Sequence, residues 1–377
     1  MGSASGAAPG QGSVVVRLGS PGFLARPPVI EPVGLVPDHV RQASGAWQQA
    51  RFPPRDVLVR QLDDVLVAAE GLVFDGDGRL VPYSVREHEP ELVAAAQEEV
   101  SRIVRGSTCP RFGDMPLVLG KKRGAGNFGH WLIEILPGVD LILRRVGGGS
   151  VGVLVHDVTD PRLGQVMQDS LRRIGVADRQ VRVSGMAPVR VGRLLMVEEL
   201  TEHGSYMSPL VAECHERLAQ GSPPASSPER VLLMRPHGAT RRPVAPARLA
   251  AVARARGFAV IEPAALDFSR QIALMRGARL ALGVMGAQMT SMIYARPGAR
   301  VTLLAPAGMP DTFFWFIAQL RGLAYREIRC RQEGREEGWN GRLDIDEDLL
   351  GRVLDEEIAA VTTRSGPPLL DAAPGDI

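Results

Sequence analysis

Gly126-Asn127-Phe128-Gly129-His130-Trp131-Leu132-Ile133-Glu134-Ile135-Leu136-Pro137 is the stretch of this sequence that decides its fold, because it joins a strand to a helix. The apolar residues 116–120 before it predict a short buried strand, and residues 121–126 predict a basic, glycine-rich turn. Apolar residues then recur at helical spacing, which predicts a helix that the proline cuts short. His130 and Glu134 are four residues apart and therefore lie on one face of this helix.

The polar residues at this loop–helix junction have two interpretations. Asn127, His130 and Glu134 bring an amide, an imidazole and a carboxylate together, which suits a site that moves protons. Lys121 and Lys122 precede them and are the only two lysines in the chain. The alternative is a solvated basic turn followed by a histidine whose hydrogen bonds are satisfied locally.

The composition is that of an ordinary globular protein. Of the 377 residues, 45% are hydrophobic and 23% charged, and a formal net charge of +2 gives no electrostatic footprint for nucleic acid. The three cysteines are far apart, which predicts free thiols in a reducing compartment rather than a metal site. No apolar run approaches the ~20 residues of a membrane span, and the N-terminus lacks the features of a secretory signal. We therefore expect a cytoplasmic protein.

The first half of the sequence predicts short strands from 14 to 84, followed by alternating helices and strands. Asp-Gly pairs predict a hairpin over residues 71–81. Helices are predicted at 91–105, 162–174 and 208–219, and strands at 151–155, 181–183 and 194–197. This alternation predicts a mostly parallel sheet with helices on its faces.

Residues 221–228 are rich in proline and serine, and they predict a linker between two domains. The second half alternates more regularly. Strands are predicted at 231–234, 258–261, 280–284 and 300–304, and helices at 246–256, 268–276, 288–294, 313–320 and 347–359. We therefore expect a disordered lead at 1–12, an N-terminal domain at 13–220, a linker at 221–229, a C-terminal α/β domain at 230–360 and a tail at 361–377.

Two acidic patterns resemble metal-binding motifs but have simpler explanations. Asp75-Gly76-Asp77 has the Asp-x-Asp form that some sugar transferases use to hold a divalent metal, yet its glycines predict a turn. Asp344, Asp346 and Asp348 alternate just before the last predicted helix, where capping and the helix dipole account for them.

Gly124–Gly129 matches the G-x-G-x-x-G pattern that lets a pyrophosphate approach the N-terminus of a helix. Three basic residues separate the first glycine from the preceding strand, and the proline shortens the helix that follows. In addition, no acidic residue ends a strand about 20 positions on, where a ribose would need one. A dinucleotide site is therefore a weaker interpretation.

A second loop, 284–291, lies between a predicted buried strand and a helix. The small residues Gly286 and Ala287 let their backbone N–H groups and that of Gln288 face an anion, and Thr290 and Ser291 add hydroxyl donors. The basic residues expected at the same carboxyl edge of the sheet, where ligands of parallel sheets bind, are Arg235, Arg241 and Arg242. Arginine suits a diphosphate because its planar fork bonds two oxygens at once. The alternative is a packed Gly-Ala turn with solvated arginines.

These two blocks together resemble glycosyltransferase family 61, which includes enzymes of capsular polysaccharide biosynthesis. Residues 127–137 look like the family's asparagine–aromatic–x–His-Trp-Leu-x-Glu-x-Leu-Pro block, and residues 235–306 are similar to its second block. The residues that match the second block are Arg235, Arg241, Arg242, Gly257, Phe258, Pro263, Phe268, Gln271, Gly286, Ala287, Pro297 and Gly298. The resemblance covers roughly residues 70–330.

The resemblance implies two Rossmann-like domains of the GT-B type, with a β-rich N-terminal extension, and an inverting sugar transfer without a required metal or cofactor. The first domain would face the acceptor, a glycan or lipid-linked molecule, and the second would hold a nucleotide sugar, expected to be a UDP-sugar. His130 or Glu134 would be the base, Asn127 would position the acceptor, and the second block, with Gln288, Thr290 and Ser291, would bind the donor. Peripheral contact with a membrane is compatible with such an acceptor, and the context implied is bacterial surface-polysaccharide assembly.

The second block departs from the family at several polar positions. Met285 stands where the family usually has histidine, Ser291 where it has asparagine, and Leu303 where it has glutamate. Ala245-Pro246 and Ala264 are further departures. They motivate a second hypothesis, a catalytically degenerate family member that acts as a binding or scaffold subunit. A third hypothesis is an NAD-dependent oxidoreductase that uses Gly124–Gly129.

Overall fold

The computed structural model of the protein describes residues 12–220, 227–333 and 340–362, which form a mixed α/β structure with two large sheets. The predicted lead, linker and tail fall mostly outside these residues. The strands of the first half are β1 (Ser13–Ser20), β2 (Phe23–Leu24), β3 (Val29–Glu31), β4 (Arg51–Phe52), β5 (Arg55–Ala68), β6 (Leu72–Phe74), β7 (Arg111–Phe112), β8 (Leu117–Gly120), β9 (Gly152–His156), β10 (Val181–Ser184), β11 (Val189–Glu198), β12 (Thr201–Glu202) and β13 (Tyr206–Met207). Those of the second half are β14 (Arg230–Leu233), β15 (Ala259–Ile261), β16 (Leu280–Val284), β17 (Arg300–Pro306), β18 (Ala324–Glu333) and β19 (Arg342–Asp344).

The α-helices alternate with these strands, as the sequence predicts for most of them. They are α1 (Asp38–Ala43), α2 (Pro90–Val104), α3 (Phe128–His130), α4 (Leu136–Val146), α5 (Pro161–Arg173), α6 (Pro209–Ala219), α7 (Pro246–Arg254), α8 (Phe268–Gly277), α9 (Phe313–Arg321) and α10 (Glu347–Thr362). Among the described residues, no helix has the length and apolar character that a bilayer crossing requires.

The first sheet has the strand order β1-β5-β11-β8-β9-β10, with β6 on β5 and β7 on β11. Strands β11, β8, β9 and β10 are parallel, whereas β1, β5 and β6 pair antiparallel, so the sheet is mixed rather than mostly parallel. The predicted short strands are partly wrong, because β5 runs for 14 residues. Residues 55–70 contain neither proline nor glycine, so no strand-breaking residue type divides this segment.

The second sheet has the order β15-β14-β16-β17-β18-β19 and is parallel apart from β19. Sequence patterning missed β18 because charged residues occupy its buried face. Tyr325, Glu327 and Arg329 alternate along it, and Glu327 bonds both of the others. The buried ion pair replaces the apolar alternation by which a strand is recognised.

The two halves of the chain share structure. β3, from the N-terminal part, pairs with β18, and Val29 lies opposite Arg326. The largest apolar cluster lies between the sheets and draws buried side chains from both halves, including Trp131, Leu136, Val211, Met292, Trp315 and Phe316. The predicted domain boundary at 221–229 stays a prediction, since most of it lies outside the described residues.

Pro137 does not end the helix that follows the opening stretch, contrary to the sequence-based expectation. Residues Trp131–Ile135 form a π-helical turn that joins α3 to α4, and the N–H of Leu136 donates to the carbonyl of Trp131. Pro137 has no N–H to give, and the carbonyl of Leu132, five residues earlier, accepts a hydrogen bond from Nε2 of His215 (2.8 Å). The π-helical turn therefore accommodates the proline, and His215 in α6 supplies the hydrogen-bond donor that the proline lacks.

The predicted α-helix at 288–294 is a 3₁₀-helix that spans Ala287–Tyr294. Oγ of Ser291 donates to the carbonyl of Gln288, three residues earlier, at 2.9 Å. This helix contains the buried Tyr294, whose hydroxyl bonds Nδ1 of His215 (2.9 Å). His215 therefore ties the π-helical turn of the first half to the 3₁₀-helix of the second.

Candidate active site

Glu134 is the centre of a charged cluster on the π-helical turn. Its side chain is 4% exposed, and three basic side chains contact its carboxylate. Nζ of Lys122 lies 2.8 Å from Oε2, Nδ1 of His130 lies 2.8 Å from the same oxygen, and Nδ1 of His203 lies 3.0 Å from Oε1. The rings of His130 and His203 stack with their centroids 5.5 Å apart. The predicted His130–Glu134 contact is thus present, and His203 is an addition that the sequence did not indicate.

The charge state of this cluster follows from its contacts. Burial raises the pKa of Glu134, but Lys122 and the hydrogen bonds from the two histidines outweigh it, so its pKa lies well below the usual range. The hydrogen bond to Glu134 raises the pKa of His203 against the opposing effect of burial. Glu134 is therefore a stable carboxylate that orients its neighbours, and it is a poor proton acceptor at neutral pH.

His130 presents its other nitrogen, Nε2, away from the carboxylate. Because Nδ1 faces Glu134, Nε2 is the nitrogen left to exchange a proton, and its ring packs against Gly124. A Cβ on Gly124 would lie 2.7 Å from the imidazole, and this glycine has φ +77°. Only glycine adopts this φ without strain and leaves room for the ring. Gly124 therefore allows the imidazole of His130 to pack against the loop.

Asn127 begins the helix that carries His130. Its side-chain oxygen accepts a hydrogen bond from the N–H of Gly129 (2.8 Å), which is a helix N-cap. A Cβ on Gly129 would lie 2.9 Å from Oγ1 of Thr290 and 3.7 Å from the ring of Phe313. The first block of the sequence therefore contacts the second block at this glycine.

Arg235 stands beside the Gly286 turn. Its Nη1 lies 3.4 Å from the carbonyl of Met285 and 3.4 Å from Oε1 of Gln288, both long for hydrogen bonds. Its Nε is buried and has no partner among the described residues. A Cβ on Gly286 would lie 1.8 Å from Nη1, so glycine is required for the guanidinium to occupy this place. Burial, and then the charge of Arg241, lower the pKa of Arg235 to about 10, so it remains a cation at neutral pH.

Arg241 is the second partly buried cation here. Its Nη1 contacts Sδ of Met309 at 3.1 Å, and its buried Nε has no partner in the part of the chain that the structure describes. Burial lowers its pKa against the effect of Asp311. Its backbone has φ 55°, the left-handed region that non-glycine residues rarely adopt. Arg242, next to it, is partly buried and has no described side-chain partner.

Asp311 interacts with basic residues of both regions, the histidines beside Glu134 and the arginine Arg241. Its Oδ1 accepts a hydrogen bond from the N–H of Phe313 (2.8 Å), and its charge interacts with His203, Arg241 and His130. Burial raises the pKa of Asp311 against these contacts. Sequence reasoning missed Asp311 and His203, since both come from loops without periodicity. The hydroxyl of Thr312 donates to the carbonyl of Gly204 (2.8 Å), which joins these two loops.

The remaining predicted donor residues have local hydrogen bonds. Gln271 donates to the carbonyl of Leu266 (3.0 Å) in the loop before its own helix, α8, and no described contact links it to Arg235. Nε2 of Gln288 donates to the carbonyl of Val284 (2.8 Å) at the end of β16. Ala287 follows the glycine as the first residue of the 3₁₀-helix, and Ser291 is buried.

Thr290 is fully buried, and its Oγ1 has no partner within the described residues. Met285 and Leu303, two of the departures from the family pattern, are also fully buried. At these two positions the apolar side chains belong to the largest apolar cluster.

A cavity of ≈ 280 Å³ opens beside Glu134. It is lined by charged and polar residues: Arg86, Glu87, Lys122, Arg123, His130, Glu134, Thr201, Glu202, His203 and Ser205, with Val85. Such a lining suits a polyhydroxylated ligand, which needs many hydrogen-bond partners.

His130, Glu134 and His203 also form a group that could hold a cation, since one ligand atom from each lies within 4.8 Å of the others. However, Lys122 already contacts Oε2 of Glu134, and a metal would have to displace its ammonium group. The acidic patterns elsewhere are structural. Asp75 accepts hydrogen bonds from the N–H groups of Asp77 and Arg79, and Asp346 caps α10, as predicted.

The contacts of the G-x-G-x-x-G loop do not favour a dinucleotide. The N–H of Gly124, which would face a pyrophosphate, donates instead to Oε2 of Glu70 (3.2 Å). A carboxylate at this place repels a second anion.

The family model described as Glycosyltransferase 61 matches residues 128–302. This interval contains His130, Glu134, Arg235 and the Gly286 turn, and it supports glycosyltransferase activity in general. No curated protein matches the chain.

Proposed function

We propose that the protein is a metal-independent glycosyltransferase of the GT-B type, which transfers a sugar from a nucleotide sugar to an acceptor hydroxyl with inversion. In this proposal the acceptor binds beside Glu134 and the nucleotide beside Arg235. The family match over residues 128–302 supports transfer of a sugar in general. The resemblance of the two blocks supports a UDP-sugar donor and a glycan or lipid-linked acceptor in the cytoplasm of a bacterium.

The observation that carries the proposal is the pair Arg235 and Arg241. Both guanidinium groups are partly buried, and neither has a carboxylate within ion-pair distance among the described residues. Burying a cation without a counter-ion is costly, so such a pair is built for an anion that binds from outside. A diphosphate supplies two negative groups that match two forks.

The Gly286 turn adds neutral donors to this anion site. Gly286 precedes the 3₁₀-helix, so the first N–H groups of that helix have no partner within it. These N–H groups and Arg235 would stabilise the charge that develops on the departing diphosphate. Thr290, whose buried hydroxyl has no described partner, lies between this turn and Gly129.

His130 is the residue that we assign as the base. The acceptor oxygen bonds to the anomeric carbon, and the bond from that carbon to the diphosphate oxygen breaks, with its electron pair left on the diphosphate. Nε2 of His130 takes the hydroxyl proton, and Glu134 stabilises the resulting imidazolium through Nδ1. Asn127, which is exposed and caps the helix that carries His130, would orient the acceptor.

Calorimetric titration of the purified full chain with UDP, GDP and CDP, with and without EDTA, tests this proposal. We expect saturable binding of one diphosphate that EDTA does not change. Binding of none of them would contradict the transferase proposal and favour the degenerate, non-catalytic alternative. Binding that EDTA abolishes would contradict the metal-independent part alone.

A further inference from the structure

Arg86 is a cation at the acceptor side that no part of the proposed chemistry uses. It lines the 280 Å³ cavity and also a second cavity of ≈ 70 Å³, and both cavities include Lys122 and Glu134 in their walls. Arg86 is partly buried, and its guanidinium has no hydrogen-bond or ion-pair partner among the described residues. It therefore stands beside the carboxylate cluster with its charge unpaired.

The loop that carries Arg86 is held in place by a buried histidine. The N–H of Arg86 donates to Nδ1 of His88 (3.0 Å), and Nε2 of His88 lies 3.2 Å from the carbonyl of Glu70. Because Nδ1 accepts, Nε2 must carry the proton and donate, which is the neutral form of the ring. Burial lowers the pKa of His88 and favours this neutral form.

The residue after Arg86 is strained in the same loop. Glu87 has φ 53°, in the left-handed region that a glutamate rarely adopts. Such conformations persist where the surrounding structure fixes them, and they are concentrated at binding sites. The carboxylate of Glu87 turns to Arg123 (3.3 Å), so it does not neutralise Arg86.

The charges around the larger cavity do not balance. Each of its three carboxylates has its own cation: Glu87 pairs with Arg123 (3.3 Å), Glu134 with Lys122 (2.8 Å) and Glu202 with Arg55 (3.5 Å). This pairing leaves Arg86 as the unneutralised cation of the lining, a short distance from the proposed base. A ligand that fills the cavity must supply the missing negative charge.

We propose that Arg86 binds an oxyanion on the acceptor, so that the acceptor is an acidic saccharide bearing a carboxylate or a phosphate. This inference rests on the proposed function, because it takes the cavity beside His130 as the acceptor site. The planar fork of arginine bonds two oxygens of either group at once, which favours an oxyanion over a neutral hydroxyl. The strained loop keeps the fork at the cavity in the absence of ligand.

Ligand-observed NMR titrations of the full chain, saturated with the diphosphate found by calorimetry, test the inference. The probes are methyl β-D-glucoside, methyl β-D-glucuronide and glucose 6-phosphate. They share a pyranose ring, and they carry no anionic group, a carboxylate and a phosphate, respectively. We expect one or both anionic probes to bind at least about 10-fold more tightly than the glucoside, the step of a single charge-assisted contact. Arg86→Gln removes this preference, Arg86→Lys retains part of it, and Arg254→Gln, on the exposed face of α7, leaves it unchanged.

The two anionic probes distinguish the source of the charge, and preference for either supports the inference. Equal binding of all three probes by the unmodified protein, with the diphosphate still bound, overturns the inference and leaves the proposed transferase intact. An anion preference that survives Arg86→Gln in a folded variant also overturns it. If no diphosphate binds, the same titrations run on the protein alone, and an Arg86-dependent preference then supports an anion site while the transferase proposal fails.

Discussion

Nδ1 of His130 lies 2.8 Å from Oε2 of Glu134, across the π-helical turn that Pro137 follows. Lys122 also lowers the pKa of this carboxylate, so in the proposed reaction Glu134 orients the imidazole and His130 exchanges the proton. π-Helical turns are rare and concentrate at functional sites.

We expect His130→Gln to lower the rate of transfer by about 10²–10⁴-fold, because it removes the proton acceptor. Affinity for the nucleoside diphosphate should not change, since His130 does not belong to the anion site. The measurement is release of diphosphate from the nucleotide sugar, with His237→Gln, an exposed histidine, as the control. A near-normal rate in the His130 variant would remove it from the role of base.

Arg235→Ala should weaken binding of the diphosphate by about 1–3 kcal/mol, the usual scale for a hydrogen bond to a charged group. Calorimetry of the purified variant measures this loss of affinity, and Arg145→Ala, an exposed arginine in the last turn of α4, is the matched control. Unchanged affinity would show that Arg235 lies outside the donor site.

Gly286→Ala should reproduce the effect of Arg235→Ala, because the added methyl would lie 1.8 Å from Nη1 and displace the guanidinium. The double variant should then be no worse than either single one, since both changes remove the same contact. Gly34→Ala, where a Cβ meets nothing within 4 Å, is the control. Additive losses in the double variant would mean that the glycine acts independently of Arg235.

The buried His215 should make the free energy of unfolding fall as the pH is lowered. Burial lowers its pKa to about 4, from about 6.5 in the unfolded chain, so the unfolded state binds more protons between these values. Its contribution is complete above pH 6.5 and is lost as the pH falls towards 4. The loss is on the order of 3 kcal/mol, at 1.36 kcal/mol per pH unit.

Urea unfolding at pH 7.5 and pH 4.5 measures this contribution. The free energy of unfolding should fall less between the two pH values in His215→Gln than in the unmodified protein, because glutamine does not titrate. His237→Gln should behave like the unmodified protein. An equal fall in all three would mean that other groups cause the acid sensitivity.

The sequence predicted the elements whose periodicity is clean, such as α2, α5 and β16. It also predicted the His130–Glu134 contact, which depends only on spacing along one helix. It failed at β18, where a buried glutamate and arginine take the place of apolar residues. The helix after Pro137 was also missed, because the donor that compensates for the proline comes from His215, 78 positions away in α6.

The candidate site shows the same division. Spacing within one block placed Glu134 beside His130. In contrast, His203, Asp311 and Arg86 lie on loops that only the tertiary structure brings near this pair. Their positions depend on single contacts, such as the bond from Arg86 to the His88 ring, that leave no repeating pattern in the sequence.

The pairing of β3 with β18 sets an order of events during biosynthesis. β3 leaves the ribosome early and then waits for its neighbour until almost the whole described chain has been made. Closing so long a loop lowers the conformational entropy of the chain before the hydrogen bonds of the strand pair have formed. This step is therefore slow. The edge of the second sheet that β3 forms beside β18 is therefore among the last parts of the described structure to form during synthesis.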